Sequence, residues 1–378
     1  MKKKVSIFLI LLLFLFALTG CYDASSIEDA YYVVALGIDQ NENESYNISI
    51  QIAKNTDNKS SLGSSQSSAY NIYTVEAETV DSAISIFNNY LNKKINLSHC
   101  SAIIFSEELA RQGIGHLVNS LANHDEIRPN AYVLISDEDA INILENVSSS
   151  GENFSSRFYE YIINSSDYSG FTTPVTFAQF LTDINDQFGD GIAIYTTITD
   201  NIIQNNGIAI FKDDSMVGHS YASDSIAHLL ITNQLKESII TLDNPFEENS
   251  KIDLFLGIRK NCNPKVEIIN GTPFISIDIF TGASIKTSGE NFDYTSTENI
   301  KIVEKQAKEY LENLISNYLY TLSKEYDSEI FNFQSMYSKK CLTNQELEKV
   351  HFDEVYKDSF FDINVDVEIS STHLFDKE

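Results

Sequence analysis

The sequence predicts an α+β protein of several mixed α/β domains, with mainly antiparallel or mixed sheets, packed helices and one long helix in the C-terminal half. Three observations carry this reading. Strand-like and helix-like periods alternate over residues 70–146, the pattern of sheets with helices laid on their faces. Elsewhere strands follow one another directly, as in 31–38 and 46–52, which implies hairpins. Residues 298–326 keep apolar positions at helical spacing with no Gly or Pro.

Taken in order, YYVVALGI (31–38) is a buried strand, ended by Gly37-Ile38-Asp39 and a polar turn at 40–44. In 46–52, Tyr46, Ile48, Ile50 and Ile52 alternate onto one face. Residues 57–69 are Ser-rich and read as a surface loop; a third strand spans 70–77. Val80, Ala83, Ile84, Phe87 and Leu91 give a helix over 81–92. A strand at 101–105, helices at 107–112 and 114–122, and a strand at 131–135 follow. Ser136 with Asp139 suggests a capped start for a helix at 137–146. Helices at 154–163 and after Pro174, the latter capped by Thr176 with Gln179, lead to a strand at 191–199.

The main boundary is expected near 200–206, giving domains over 21–199 and 205–375, with a further division near 285–295 left open. The second half offers a strand at 207–211, an acidic turn at Asp213-Asp214, and a helix from Ser223 to about Asn233. Strands follow at 251–258, 265–270 and 273–281. The long helix is expected to be capped by Thr297 and to bury Ile300, Val303, Ala307, Tyr310, Leu314 and Leu322 against a sheet. Thr343 and Glu346 suggest a capping box for a helix at 344–357. In the last strand Phe361, Ile363, Val365, Val367 and Ile369 alternate with Asp362, Asn364, Asp366 and Glu368. One face is core and the other wet.

Residues 1–20 read as a signal peptide: Lys2, Lys3 and Lys4, an apolar run to Leu18, then Thr19-Gly20 before Cys21. A hydrophobic residue, two small residues and a cysteine resemble the bacterial lipobox, which makes Cys21 the expected lipidation site and lipid anchor. A plain signal peptide or uncleaved anchor is the alternative. Cleavage would leave 23 basic against 54 acidic residues. Such a surface repels phosphate backbones, so nucleic acid is a poor partner. Anionic headgroups repel it too, so attachment to the membrane must come from lipid and from protein partners. Cys100, Cys262 and Cys341 are far apart without a CxxC pair, and three isolated small hydrophobes are favoured over a disulfide. Aromatic packing rests on 20 Tyr and 23 Phe, with no Trp.

Catalytic signals are weak. Gly218-His219-Ser220-Tyr221-Ala222 lacks the final Gly of a nucleophile elbow, and Asp224 and His228 fall on the very next helix. His116 and His124 form no HExxH, and His99-Cys100 reads as packing. Asp183, Asn185, Asp186 and Asp190 do not have EF-hand spacing. No phosphate loop or dinucleotide fingerprint occurs. No catalytic residue, metal site or cofactor is therefore expected.

The order of several segments resembles the Ger(x)C family, the lipoprotein C subunits of spore nutrient germinant receptors. These are Cys21-Tyr22-Asp23 with Ile27-Glu28-Asp29, ALGID (35–39), Gln51-Ile52-Ala53, EELARQGI (107–114), EIRPNAYVLIS (126–136) and GIAIFKDDSMVG (207–218). The block from Glu329 to the last strand completes the likeness. Tyr22 and Phe352 stand where the family usually has tryptophan, Asn123 replaces an arginine, and Phe331-Asn332-Phe333 replaces a Phe-Gly-rich turn. The resemblance implies a non-enzymatic subunit on the outer face of the spore inner membrane. Its implied partners are the A-type and B-type membrane subunits of the receptor, one of them related to permeases and the favoured nutrient site. An exposed apolar or aromatic patch would then serve docking. A solute-binding lipoprotein closing two lobes on a nutrient is the alternative.

Overall fold

The computed structural model describes residues 30–41, 45–53, 70–146, 158–160, 163, 169–287, 296–343, 346–347 and 349–372. Cys21 and the loop expected at 57–69 lie outside the described residues, as does part of the helix expected at 154–163.

The first sheet is mixed. Its order is β3 (Tyr70–Ala77), β2 (Tyr46–Ala53), β1 (Ala30–Gln40), β5 (Ala102–Ser106), β6 (Tyr132–Ser136), β7 (Ile192–Thr199), β8 (Ile202–Lys212) and β9 (Ser215–Tyr221). The short β4 (Lys94–Asn96) pairs with the start of β1. β1, β5, β6 and β7 are parallel, and the flanking hairpins are antiparallel. β1 runs on to Gln40, two residues beyond the strand expected at 31–38. A register shift between Val33 and Ala35 lets Val33 and Leu36 face one core while Ala35 faces the other.

The region expected as a boundary is a tight hairpin. Asp200 and Asn201, both with positive φ, join β7 to β8, the conformation of a two-residue hairpin turn. The first sheet thus continues through residue 221. β9 also passes straight through Gly218. Glycine is needed there because a Cβ would meet the Tyr326 ring at 2.4 Å.

Helices α1 (Val80–Tyr90), α2 (Glu107–Gln112), α3 (Gly115–Ala122), α4 (Ala140–Asn146) and α5 (Phe177–Asp183) cover this sheet. The Thr176 side chain caps α5 by accepting from the Gln179 N–H at 3.3 Å. The expected cap of α4 is wrong. The helix starts at Ala140, and its first amides donate to the Asp39 carboxylate at the end of β1, at 2.5 Å (Ala140) and 3.3 Å (Ile141). Burial pushes the Asp39 carboxyl up to about 6, against those two donors. Across β1, Gly37 lets α4 approach closely, since a Cβ would sit 3.1 Å from Leu144 Cδ1.

In the second half, α6 (Ala222–Ile231) leads to a second sheet of order β10 (Ser238–Asp243), β11 (Lys251–Lys260), β13 (Thr272–Thr287), β12 (Lys265–Ile269). β14 (Phe360–Thr372) pairs in parallel with β13. The long helix α7 (Thr297–Tyr320) continues as a π-helical stretch over Thr321–Tyr326. Its cap is Ser296, one residue before the expected Thr297, accepting from the Asn299 N–H. Its buried stripe is Val303, Ala307, Leu311, Ile315, Tyr318, Leu319 and Leu322; Tyr310 is exposed. Val303, Ala307 and Leu322 are buried as expected, while Leu311, Ile315, Tyr318 and Leu319 take the places expected of Tyr310 and Leu314.

α7 lies along β14. Glu304 accepts from the Ile369 N–H at 2.9 Å and Glu312 from the Val365 N–H at 3.1 Å. These carboxylates occupy strand amides that β13 does not use. The helix expected at 344–357 is broken at His351, whose φ is 44°. α8 (Phe333–Ser338) precedes it, and α9 (Phe352–Val355) with a 3-10 turn (Tyr356–Asp358) follows.

The alternation of the last strand holds. Val365 is fully buried and Asp366 exposed. Val365→Asp buries an unpaired charge and is expected to cost more than about 3 kcal/mol, whereas Asp366→Val should stay within about 0.5 kcal/mol. Thermal melts of the two variants check this; equal melting temperatures would refute the register.

Candidate functional site

The region densest in unusual chemistry joins the two halves. Four points tie the segment after α7 to the first sheet. Tyr326 Oη donates to the His219 carbonyl (3.1 Å) and Ser328 Oγ to the Phe211 carbonyl (2.6 Å). The Asp190 N–H donates to the Glu329 carbonyl (2.8 Å), and the Glu329 N–H returns a bond to Asp190 Oδ2 (2.8 Å). Asp190 Oδ1 also accepts from the Asp213 N–H (2.8 Å), and Lys212 Nζ stands 3.6 Å from Oδ2.

Glu329 itself is buried. Its carboxylate accepts from the Phe331 N–H (2.8 Å) and the Gln334 N–H (3.3 Å). These bonds favour the charged form, but burial outweighs them and pushes the carboxyl up to about 7. Burial also raises Asp190, against its two amide donors and Lys212. The chain turns at Asn332, whose φ is 58°. Asp186, Asp190, Lys212, Asp213, Glu329 and Tyr356 are among the residues lining a cavity of about 270 Å³ here.

Aromatic side chains back this junction. Phe331 stacks on His228 at 5.2 Å, and Tyr318 meets both rings edge-on. Burial pushes the His228 imidazole down to about 4, so it packs as a neutral ring. Phe352 is buried between Tyr337 and Tyr356.

The other residues weighed from sequence do not converge. His219 stacks on Tyr195 at 4.1 Å, Ser220 is buried on β9, and Asp224 accepts from the Tyr221 N–H at the start of α6. His116 bonds Tyr46 Oη at 2.7 Å, while His124 lies 3.9 Å from Asp81. Cys100, Cys262 and Cys341 are free thiols, and burial pushes Cys100 up to about 12. Asp186 accepts from the Phe188 N–H, whereas Asp190 turns into the junction. Among the described residues no group of three His, Cys, Asp or Glu side chains is placed to hold a metal ion. Nor is any helix there long and apolar enough to cross a membrane.

A second feature is the outer face of the second sheet. Phe274 stacks on the exposed Phe360 at 5.2 Å, and Lys260 and Lys286 lie over Phe280 and Phe255 at 4.9 and 4.7 Å. Phe360 is exposed and Phe255, Phe274 and Phe280 are half-buried, so this face carries an aromatic patch partly open to solvent.

Residues 23–198 match the spore germination protein N-terminal domain, and residues 206–373 match the spore germination B3/GerAC-like C-terminal domain. The chain belongs to the Ger(x)C family, the C subunits of spore germinant receptors. Among its relatives is the putative spore germination protein YfkR of Bacillus subtilis (strain 168), 24% identical over 371 residues, covering 95% of this chain and 94% of that protein. Spore germination protein KC of the same organism is 21% identical over 360 residues, covering 86% and 85%. The crystal structure of the GerBC protein has the same fold, with a TM-score of 0.59 at 16% identity, covering 89% of this chain and 97% of that one.

The Glu329 carboxyl binds its proton more tightly folded than unfolded. It therefore contributes stability that is full below about pH 4.5 and lost as pH rises through about 7. Wild type should lose on the order of 2 kcal/mol from this group between pH 5 and pH 8, and Glu329→Gln should flatten that slope. Urea melts across this range check it; an unchanged slope would contradict the buried carboxyl.

Proposed function

We propose that the chain is a lipid-anchored, non-enzymatic subunit of a nutrient germinant receptor. It is held by acylated Cys21 on the outer face of the spore inner membrane and works by touching the A-type and B-type membrane subunits. One observation carries this reading: Cys21 stands at the end of an export signal, two residues before the family match begins at residue 23. Two acyl chains hold a protein at a bilayer far more firmly than one, each buried methylene contributing about 0.8 kcal/mol. The Phe274–Phe360 face supplies a surface for a neighbouring subunit, since a cleaved body with 23 basic against 54 acidic residues gains little from electrostatic attraction.

The solute-binding alternative requires two doubly wound lobes around a deep cleft. The second half is a largely antiparallel sheet with one long helix, which favours the receptor-subunit reading. Cys21→Ala, expressed without the other subunits, should move the chain from the membrane pellet to the soluble fraction. Continued pelleting would point to another attachment and overturn the anchor.

A further inference from the structure

One sector of the acidic body, among several stretches poor in carboxylates, adjoins the amino-terminal tether. Residues 82–106 contain no Asp or Glu, and neither do residues 30–38. The fold brings these two stretches together. Ala30, Tyr31 and Tyr32 pair in parallel with Lys94, Ile95 and Asn96. Lys93 Nζ lies 5.4 Å from the centre of the Tyr31 ring, whose hydroxyl donates to Asn92 Oδ1 at 2.7 Å. Tyr90, at the end of α1, is 51% exposed and meets Phe87 edge-on. Lys94 is exposed, and Asn88, Leu91, Asn92, Lys93 and Lys94 line a concavity where α1 gives way to β4. Tyr32 packs on His99, and the Arg128 guanidinium lies near enough to that imidazole to help burial hold its pKa down. The nearby Glu126 is engaged inward, accepting from the Leu97 N–H at 2.8 Å and from Asn96.

This sector is also where the chain leaves toward its amino terminus. Eight residues lie between Cys21 and Ala30, Asp23, Glu28 and Asp29 among them, and this tether spans at most about 32 Å even when fully extended. We propose that the face built from the start of β1, the end of α1 and β4 rests on the anionic lipid surface, with Lys93 and Lys94 at the phosphates and Tyr31 and Tyr90 at headgroup depth. The proposal rests on acylation of Cys21, which supplies the attachment; the patch supplies the orientation. Tyrosine is suited to the membrane interface because its ring is apolar and its hydroxyl wet. Basic residues near an anionic leaflet are attracted over about a Debye length, roughly 8 Å at physiological salt. The rest of the acidic body is repelled over the same distance, so both forces turn this one face downward.

The absence of tryptophan gives a clean probe. The full chain carrying Tyr90→Trp is reconstituted in vesicles of phosphatidylcholine and phosphatidylglycerol (70:30) with brominated acyl chains. Tyr221→Trp, at a position 69% exposed at the junction of β9 and α6, is the control. The expected result is quenching of Y90W at least about threefold that of Y221W, falling toward parity when K93E and K94E are added or phosphatidylglycerol is omitted. Equal quenching of the two tryptophans in chains that float with the vesicles would overturn the proposal, and is the outcome expected if a protein subunit covers this face instead. Flotation reports the anchor separately. A chain that does not float counts against acylation, and the face is then read with the same variants, in a Cys341→Ser background, coupled through the Cys21 thiol to a maleimide lipid. Parity in that arm also overturns it.

Discussion

The arrangement of the two halves centres on a reciprocal pair of hydrogen bonds between Asp190 and Glu329. The Asp190 amide donates to the Glu329 carbonyl, and the Glu329 amide returns a bond to the Asp190 carboxylate. Residues 139 apart in sequence are thereby fixed where the first sheet meets the end of the long helix. A carboxylate accepting two main-chain amides is worth more than two neutral hydrogen bonds. Here it also spares amides that would otherwise be buried without partners. Ser328 and Tyr326 extend the same seam along β8 and β9, so the helix end is held by polar contacts of fixed direction. The apolar packing of His228, Phe331 and Tyr318 lies behind it.

The seam stores opposed tendencies. Glu329 is surrounded by amide donors that favour its anion, yet it is buried deeply enough for its proton to be retained near neutrality. Asp190 stands in the same conflict, relieved in part by Lys212. Buried groups of this kind fix one geometry at some expense in stability. The seam thus holds the two halves in one fixed relation.

Much of the fold was legible from periodicity. The hairpin of β1 and β2, the alternating β14 and the Thr176 cap follow from local sequence, because each is set by residues within a few positions of one another. What escaped was set at a distance. The cap of α4 is Asp39, about a hundred residues upstream, so Ser136 and Asp139 offered a plausible local substitute that the fold did not use. The short β4 and the strand β10 were not anticipated; three residues are too few to show a period, and in β10 a buried Ser238 beside an exposed Ile239 blurs the alternation. Asn332 was legible as a positive-φ position because the family places a Gly-containing turn there. The partnership of Asp190 with Glu329 left no mark in either segment. Cys21, by contrast, is legible only in sequence, and lies outside the described residues.

The pairing of Glu304 and Glu312 with the amides of β14 bears on how neighbours can attach. An open strand margin invites foreign chains to zip on, the route of many peptide complexes and of fibril growth. At this margin two acidic side chains from α7 already fill the ladder positions at Val365 and Ile369. An incoming segment would have to displace charged hydrogen bonds before making its own. Association through this margin is discouraged, which leaves the broad flat of the sheet for recognition and keeps crowded copies from stitching together.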